Sequence, residues 1–98
     1  NLVISTARSG FEALEKIKSE TPSLIILDVM MPGMDGFEVI SRLRRLPDTE
    51  RVPVLVLTGY YDALTRARQA GAQDVLLKPF EKMVFVNKVL QLLQNNPI

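Results

Sequence analysis

Asp28 is the residue whose type and position say most about the chemistry of this chain. It directly follows the apolar run at residues 24–27, and a turn rich in proline and glycine (residues 32–36) comes soon after it. Four apolar residues without alternation indicate a strand that is buried on both faces. A carboxylate at the carboxyl end of such a strand suits a nucleophile or a metal ligand, because ligands bind at that edge of open α/β sheets. The alternative interpretation is that Asp28 only ends the strand in solvent.

Thr58 and Lys78 follow apolar runs in the same way, after residues 54–57 and 75–77. Taken singly, Thr58 fits a helix cap and Lys78 fits a surface cation. Parallel strands end at one edge of a sheet, so we expect both residues to meet Asp28 there. An aspartate can hold a covalent acyl phosphate, and a hydroxyl and an ammonium group can pair with the oxygens of that phosphate. The three residues together therefore predict phosphoryl transfer.

Composition narrows the possible chemistry. The chain has 98 residues, which predicts a single domain over residues 1–98. It contains neither cysteine nor histidine. Disulfides, thiol catalysis, Ser-His-Asp triads and histidine metal sites within this chain are excluded. Acid, base or nucleophilic chemistry must then come from Asp, Glu, Lys, Ser, Thr or Tyr.

The charge pattern argues against a nucleic-acid interface. Net charge is +1, and the local basic cluster of Arg42, Arg44, Arg45 and Arg51 is interpreted as a solvated helix face. No apolar run approaches the roughly 20 residues of a membrane-spanning helix, so we expect a cytoplasmic protein without membrane contact. The chain begins inside an apolar segment without an initiating methionine, and we expect it to be a fragment.

Apolar and polar spacing predicts strands alternating with helices. Strands are expected at residues 2–4, 24–27, 54–57 and 75–77, and helices at 9–20, 36–45, 63–70 and 81–94. Ser9 with Glu12 has the capping-box spacing, and Gly71 is placed to end the third helix. This order implies a parallel sheet with right-handed crossovers. The side chains expected to face the core from the helices are those of Phe11, Leu14, Ile17, Phe37, Ile40, Leu43, Leu64, Ala67, Ala70, Val84, Phe85, Val89, Leu92 and Leu93.

Four motifs carry a resemblance to a known family. They are Leu-Asp-Val-Met-Met-Pro-Gly-Met-Asp-Gly at residues 27–36, Leu-Thr-Gly at 57–59, Ala-Gly-Ala at 70–72 and Lys-Pro-Phe at 78–80. Together they resemble the receiver domain of bacterial two-component response regulators. The resemblance implies a flavodoxin-like, doubly wound parallel sheet and a histidine kinase or phosphotransfer protein as partner. It also implies that Asp28 is the phosphoacceptor, Thr58 the switch hydroxyl and Lys78 the phosphate-pairing lysine, with a cis Lys78–Pro79 bond.

The same resemblance implies a Mg²⁺ site. Its ligands would be Asp28, the backbone carbonyl of Met30 and an acidic pair that follows the family's first strand. Asp35 and Glu38 are not ligands in the family. The acidic pair is missing from this chain, and proteins bind Mg²⁺ mainly through carboxylate oxygens. We therefore expect the chain to accept phosphate poorly or not at all. Met30 and Tyr60 stand where the family tunes the lifetime of the acyl phosphate.

The family's first strand and first helix are missing from this chain, so we expect four strands and four helices. In the family's strand order 2-1-3-4-5 the missing strand lies in the middle. Either the first two strands of this chain pair directly, or a gap or a swapped partner fills the space. One sheet face also loses a covering helix, which predicts exposed Val, Leu and Ile side chains and association into homo-oligomers. Val75 replaces the aromatic residue that the family uses in switching.

The sequence is compatible with three functions. The leading one is a signalling receiver that takes a phosphoryl group on Asp28 and relays it by conformational change, rather than an enzyme. The alternative is a protein-interaction module of the same fold that does not use phosphate. A phosphohydrolase is disfavoured, because such enzymes need a second acid two residues after the nucleophile, where this chain has Met30.

Overall fold

The computed structural model describes residues 3–29 and 34–94, with the backbone alone for residues 29 and 34–36. Met30 lies outside the described residues, and with it the two roles expected of it, in Mg²⁺ binding and in setting the lifetime of the acyl phosphate. Strands and helices alternate in the order β1 (Ile4–Ala7), α1 (Gly10–Ser19), β2 (Leu24–Val29), α2 (Met34–Leu43), β3 (Val54–Thr58), α3 (Ala63–Ala70), β4 (Asp74–Leu77) and α4 (Lys82–Gln94). The predicted order of elements is confirmed.

All four strands form one parallel sheet in the order β1-β2-β3-β4. Sequential strands are therefore neighbours, as right-handed crossovers between parallel strands allow. The first two strands of the chain pair directly, from Ile4 opposite Leu24 to Ala7 opposite Leu27. Of the arrangements considered for this part of the sheet, direct pairing is the one observed.

The two faces of the sheet have separate cores. Helices α1, α2 and α3 pack on one face, where Ala13, Ile40 and Ala67 join the side chains of β2 and β3. Helix α4 packs on the other face, against a core made of Leu24, Ile26, Leu55 and Leu57. These four side chains are at most 8% exposed, so most of this face is covered. Ile4, which stands opposite Leu24 on the same face, is 45% exposed, so the expected exposure of apolar side chains is confirmed only at the edge strand β1. The single helix α4 covers the four core side chains with half-buried side chains such as Phe85 and Val89.

Helix α4 itself also exposes apolar side chains. None of its residues, all of which the structure describes, is fully buried. Met83, Val84 and Leu90 are 46–61% exposed, although Val84 was expected to face the core. Helices need a wide apolar stripe to pack on a sheet, and α4 spreads its apolar residues around more of its circumference than one sheet face can cover. The expected association into homo-oligomers stays a prediction.

Element boundaries differ from the sequence expectations in places that have physical causes. Strand β1 begins at Ile4 and takes in the polar Ser5 and Thr6, because pairing with β2 decides its extent. Phe11 is 74% exposed rather than buried. Helix α1 buries Gly10 and Ala13, and its Leu14 and Ile17 side chains pack against the core. These residues form one stripe along the helix, and Phe11 lies outside that stripe. The Ser9 cap is confirmed by its hydrogen bond from the Glu12 N–H.

Arg44 is a structural residue, which corrects its interpretation as part of a solvated basic face. Its guanidinium donates to the carbonyl oxygens of Gly71, Thr49, Glu50 and Val52 and to the side chain of Gln73. Burial lowers the pKa of Arg44, but an arginine stays charged at any ordinary pH. Arg44 thus ties the end of α2 to the chain on both sides of β3.

Gly71 leaves room for this guanidinium. It ends α3 with φ 117°, and a Cβ there would lie 2.9 Å from Cγ of Arg44. A left-handed conformation at the end of a helix favours glycine, because L-residues with a side chain are strained there.

Asp74 connects the start of β4 to α4. Its carboxylate lies 2.7 Å from Nζ of Lys88 and 3.1 Å from Nη2 of Arg68, and it accepts a hydrogen bond from the Val75 N–H. Burial by itself would raise the pKa of Asp74. The hydrogen bonds and positive charges around the carboxylate outweigh burial, so the pKa is lowered. The ionised form is therefore favoured in the folded state.

Replacing Asp74 with Asn should lower the free energy of unfolding at pH 7 by about 1 kcal/mol. Because the folded-state pKa is lowered, the contribution of Asp74 is fully present above its unfolded value of about 3.9 and disappears as the pH falls through the folded-state pKa. Urea unfolding between pH 7 and pH 3 measures this difference, with the exposed Asp48→Asn as control. A difference between the two variants that stays constant down to pH 3 would contradict the assignment.

None of the helices in the described ranges is long and apolar enough to cross a membrane.

Candidate functional site

The three predicted site residues lie at the carboxyl ends of adjacent strands. Asp28 is the penultimate residue of β2, Thr58 is the last residue of β3, and Lys78 directly follows β4. In the register, Asp28 stands opposite Leu57, while Thr58 stands opposite both Val29 and Leu77. Asp28 and Thr58 thus belong to their strands rather than following them. The sheet edge that gathers them is the edge that binds ligands in open α/β folds.

Asp28 and Lys78 form an ion pair. The Lys78 Nζ lies 2.7 Å from Oδ1 of Asp28, and their side chains are 36% and 29% exposed. The backbone of Lys78 is fixed as well, because its N–H donates to the carbonyl oxygen of Thr58 at 2.7 Å. The Lys78–Pro79 peptide bond is cis. The ammonium group is therefore held where it would contact a group attached to Asp28.

Thr58 makes a local hydrogen bond in this structure. Its side chain is fully buried, and its Oγ1 accepts a hydrogen bond from the Tyr60 N–H at 3.1 Å. This is a turn within the loop and not the helix cap that Thr58 alone would suggest, because α3 begins at Ala63, with Asp62 at its N-cap position. Among the described residues, no heavy atom other than those of Gly59 and its two chain neighbours lies within 4 Å of the point where a Cβ on Gly59 would stand, so none of them fills the space beside this loop. The structure brings Asp28 and Lys78 together and gives Thr58 a bond to its own loop.

A cleft of about 280 Å³ opens beside Asp28, and we call it the Asp28 cleft. It lies between the end of β1 and α4. Its polar lining comes from Thr6, Arg8, Glu12 and Asp28, and its apolar lining from Ala7, Ile26, Leu57 and Phe85. Asp28 therefore has an ammonium partner and an accessible space beside it.

The described residues do not fit a Mg²⁺ site. No three acidic side chains within residues 3–28 and 37–94 come together as metal ligands. Glu12, which also lines the Asp28 cleft, lies 3.1 Å from Nζ of Lys16. The hydrogen bond from Lys16 lowers the pKa of Glu12, so this carboxylate is already paired. Mg²⁺ requires near-octahedral oxygen coordination, which Asp28 alone among these residues does not supply.

Residues 1–90 match the family model of the response regulator receiver domain. The chain belongs to this family, and its doubly wound, flavodoxin-like sheet is that of the family, here with four strands and four helices. Receiver domains are signalling domains rather than conventional enzymes, and the family generally binds Mg²⁺.

Individual relatives agree with this assignment. The chain is 37% identical over 93 residues to the transcriptional regulatory protein AfsQ1 of Streptomyces coelicolor, covering 93% of this chain and 40% of that protein. It is 32% identical over 91 residues to the chemotaxis protein CheY of Bacillus subtilis, covering 90% and 76%. The structure of chemotaxis response regulator CheY4 of Vibrio cholerae has a TM-score of 0.75 at 31% identity, covering 90% and 75%. The chain spans less than half the length of the first of these relatives.

Sequence reasoning missed Arg8 as a residue of this site. Arg8 lies on the Asp28 cleft because β1 pairs directly with β2. The sequence predicts the first strand at residues 2–4, so the signal that selected Asp28, Thr58 and Lys78, a position directly after a predicted strand, does not select Arg8. Arg8 directly follows β1 only because the strand extends to Ala7 in the structure.

Proposed function

We propose that this chain is a phosphoacceptor signalling domain in which Asp28 receives a phosphoryl group from a histidine kinase or a phosphotransfer protein. The observation that carries the proposal is the 2.7 Å contact between Asp28 and Lys78 at the ligand-binding edge of a receiver-domain fold. The cytoplasm, where two-component phosphoryl donors act, is part of the same proposal.

The geometry suits the transfer of a phosphoryl group to a carboxylate. An oxygen of Asp28 attacks phosphorus, the bond from phosphorus to the donor breaks, and the donor leaves with the bonding electron pair. The product carries about two negative charges and needs cationic and hydrogen-bonding partners. Lys78 would move from the carboxylate oxygen to a phosphoryl oxygen, because the new charge lies within reach of its flexible stem. The Thr58 hydroxyl would donate to another phosphoryl oxygen after giving up its bond to Tyr60.

The relay would run from Lys78 to α4. Phe80, two residues after Lys78, stacks on Phe85 of α4 with ring centroids 5.7 Å apart and planes inclined by 16°. Val75 stands where the family's switching aromatic would be, and it is buried. A shift of Lys78 therefore reaches the exposed apolar side of α4 through this aromatic pair.

An interaction module that does not use phosphate is the second candidate. The described residues favour it only in lacking a set of metal ligands. The intact pair of Asp28 and Lys78 favours the phosphoacceptor.

Incubation of the purified chain with labelled acetyl phosphate tests the proposal. We expect up to one phosphoryl group per chain, released by hydroxylamine, which cleaves acyl phosphates and leaves phosphoserine and phosphothreonine intact. Labelling should be slow, because the described residues do not make up a metal site. A chain that stays unlabelled after prolonged incubation would contradict the proposal and favour the interaction module.

Replacing Lys78 with Gln should slow labelling of Asp28 by about a hundredfold. The physical reason is that the substitution removes the positive charge that offsets the developing charge on the phosphoryl oxygens. Initial labelling rates measure the effect, and Lys82→Gln serves as the matched control because Lys82 is exposed on α4. Equal rates for the two variants would remove Lys78 from the site.

A further inference from the structure

Phe11 presents a large apolar side chain to solvent from the first turn of α1. It is 74% exposed, and the Ser9 cap fixes the start of the helix on which it lies. Single exposed apolar side chains are common on protein surfaces. At protein interfaces, however, aromatic side chains that fill a pocket of the partner carry much of the binding energy. Phe11 therefore has the chemistry of an interface anchor, and what matters is whether a matching pocket lies nearby.

A groove of about 220 Å³ lies beside Phe11, between α1 and α2, and we call it the α1–α2 groove. Its lining comes from Phe11, Leu14, Glu38, Val39 and Arg42. Val39 is buried and Leu14 packs against the core, so the floor of the groove is apolar. Its volume is below the roughly 300–1,000 Å³ that is usual for small-molecule sites. A single apolar side chain of a protein is therefore a better match than a small molecule.

Charges of both signs surround the α1–α2 groove. On α2, Glu38 and Arg42 form an ion pair at 3.2 Å, with side chains 60% and 58% exposed. On α1, Glu15 and Lys18 form a second exposed ion pair at 3.5 Å. They follow Phe11 by four and seven residues, so they continue along the same side of the helix. These four side chains carry no net charge together, and they favour neither a strongly acidic nor a strongly basic partner.

A second copy of the chain fits these features. In a two-fold contact both copies use the same surface, so each copy supplies both the anchor and the groove. A two-fold axis perpendicular to α2 runs the two copies of this helix in opposite directions, which brings Glu38 of one copy opposite the partner's Arg42. Unlike charges then face each other at the rim, and an apolar anchor fills an apolar groove at the centre, as is usual in specific protein interfaces.

We infer that the α1–α2 groove is the contact surface of a homodimer in which Phe11 of each copy enters the groove of the other. This surface is separate from the exposed apolar residues of α4, because α1 and α2 pack on the opposite face of the sheet. Two grooves of this size make a small interface, so the dimer forms reversibly and dissociates on dilution. The inference does not rest on phosphoryl transfer to Asp28.

Sedimentation equilibrium over a range of protein concentrations measures the dissociation constant of the dimer. Phe11→Ala should raise this constant at least about a hundredfold, because the dimer loses the same anchor twice. Tyr61→Ala is the matched control, since Tyr61 is an aromatic residue that is 76% exposed and does not line the groove. Leu90→Ala tests the exposed side of α4 in the same way. Both of these variants should stay within about twofold of wild type.

Charge reversal gives a second, independent measurement. Glu38→Arg alone or Arg42→Glu alone places like charges opposite each other across the two-fold axis and should weaken the dimer about tenfold. The double variant, Glu38→Arg with Arg42→Glu, restores unlike pairs and should return the dissociation constant to within about threefold of wild type. Recovery of dimerisation is specific to a two-fold contact at this surface, because the stability of the single chain does not enter the dissociation constant of folded copies.

Three results would overturn the homodimer. The first is a mean mass of one chain up to about 1 mM wild-type protein, which would leave the groove to a partner of another sequence. The second is a dimer of Phe11→Ala that is as tight as wild type; a weaker dimer of Leu90→Ala would then place the contact on α4. The third is a double charge variant that dimerises no better than the single variants.

The variants must be folded for these comparisons. Because Phe11 is exposed, Phe11→Ala should unfold at the same temperature as wild type, and circular dichroism on dilute protein checks this. If Phe11→Ala is unstable, the charge-reversal series alone decides, since Glu38 and Arg42 are exposed and lie outside the core.

Discussion

Substituting Asn for Asp28 should abolish labelling of the chain by acetyl phosphate, with a fall in rate of about a thousandfold or more. An amide oxygen is a poor nucleophile and cannot form a stable acyl phosphate, whereas the carboxylate of Asp28 lies on an open cleft beside the Lys78 ammonium group. The fold should tolerate the change, because Asn has nearly the same volume and can still accept a hydrogen bond from Lys78. Measurement of bound phosphoryl groups against time gives the rate.

Two controls show whether a loss of labelling is specific to Asp28 and whether the variant is still folded. Asp48→Asn changes an exposed aspartate outside the site and should be labelled as fast as wild type. Urea unfolding of Asp28→Asn should show a free energy of unfolding within about 1 kcal/mol of wild type, because a partly exposed ion pair contributes little. Labelling of Asp28→Asn at the wild-type rate would show that another residue accepts the phosphoryl group.

The largest effect on stability is expected at Arg44. Replacing it with Met should reduce the free energy of unfolding by about 3 kcal/mol. The reason is that four carbonyl groups and the Gln73 side chain lose their common donor, while Met retains much of the packing of the stem. Gln73 also accepts a hydrogen bond from the Val54 N–H, so the start of β3 should loosen together with the end of α2.

Arg45 offers a matched control for that experiment. It is the next residue in the chain and is exposed, so Arg45→Met should change stability by at most about 0.5 kcal/mol. Urea denaturation of both variants at pH 7 compares them directly. Arg44→Lys should lose most of the same stability, because one ammonium group cannot reach partners in several directions. Equal stabilities of Arg44→Met and Arg45→Met would contradict the structural role.

Local signals in the sequence predicted most of the architecture. Strands buried on both faces appear as unalternating apolar runs, which is why β2 and β3 were found. Ser9 and Gly71 marked helix ends through chemistry confined to a few residues. The contact between Asp28 and Lys78 was also predictable, because the carboxyl ends of parallel strands lie at the same edge of the sheet.

The remaining features depend on tertiary contacts that a local pattern does not encode. The extent of β1 depends on its pairing with β2, and the cleft position of Arg8 depends on that pairing in turn. In the sequence nothing distinguishes Arg44 from a surface arginine. Its structural role depends on the fold, which places Gly71 and residues 49–52 within hydrogen-bonding distance of its guanidinium. Phe11 fits an apolar pattern, but the orientation of α1 on the sheet leaves it in solvent.

Chemical mapping of the modified residue tests the central claim most directly. Borohydride reduces an aspartyl phosphate to homoserine, so the chain labelled with acetyl phosphate can be reduced, digested and sequenced by mass spectrometry. The account predicts homoserine at position 28, in the peptide that contains the carboxyl end of β2, and wild-type aspartate at positions 35, 48, 62 and 74. Homoserine at one of those other positions, with unmodified aspartate at position 28, would contradict it.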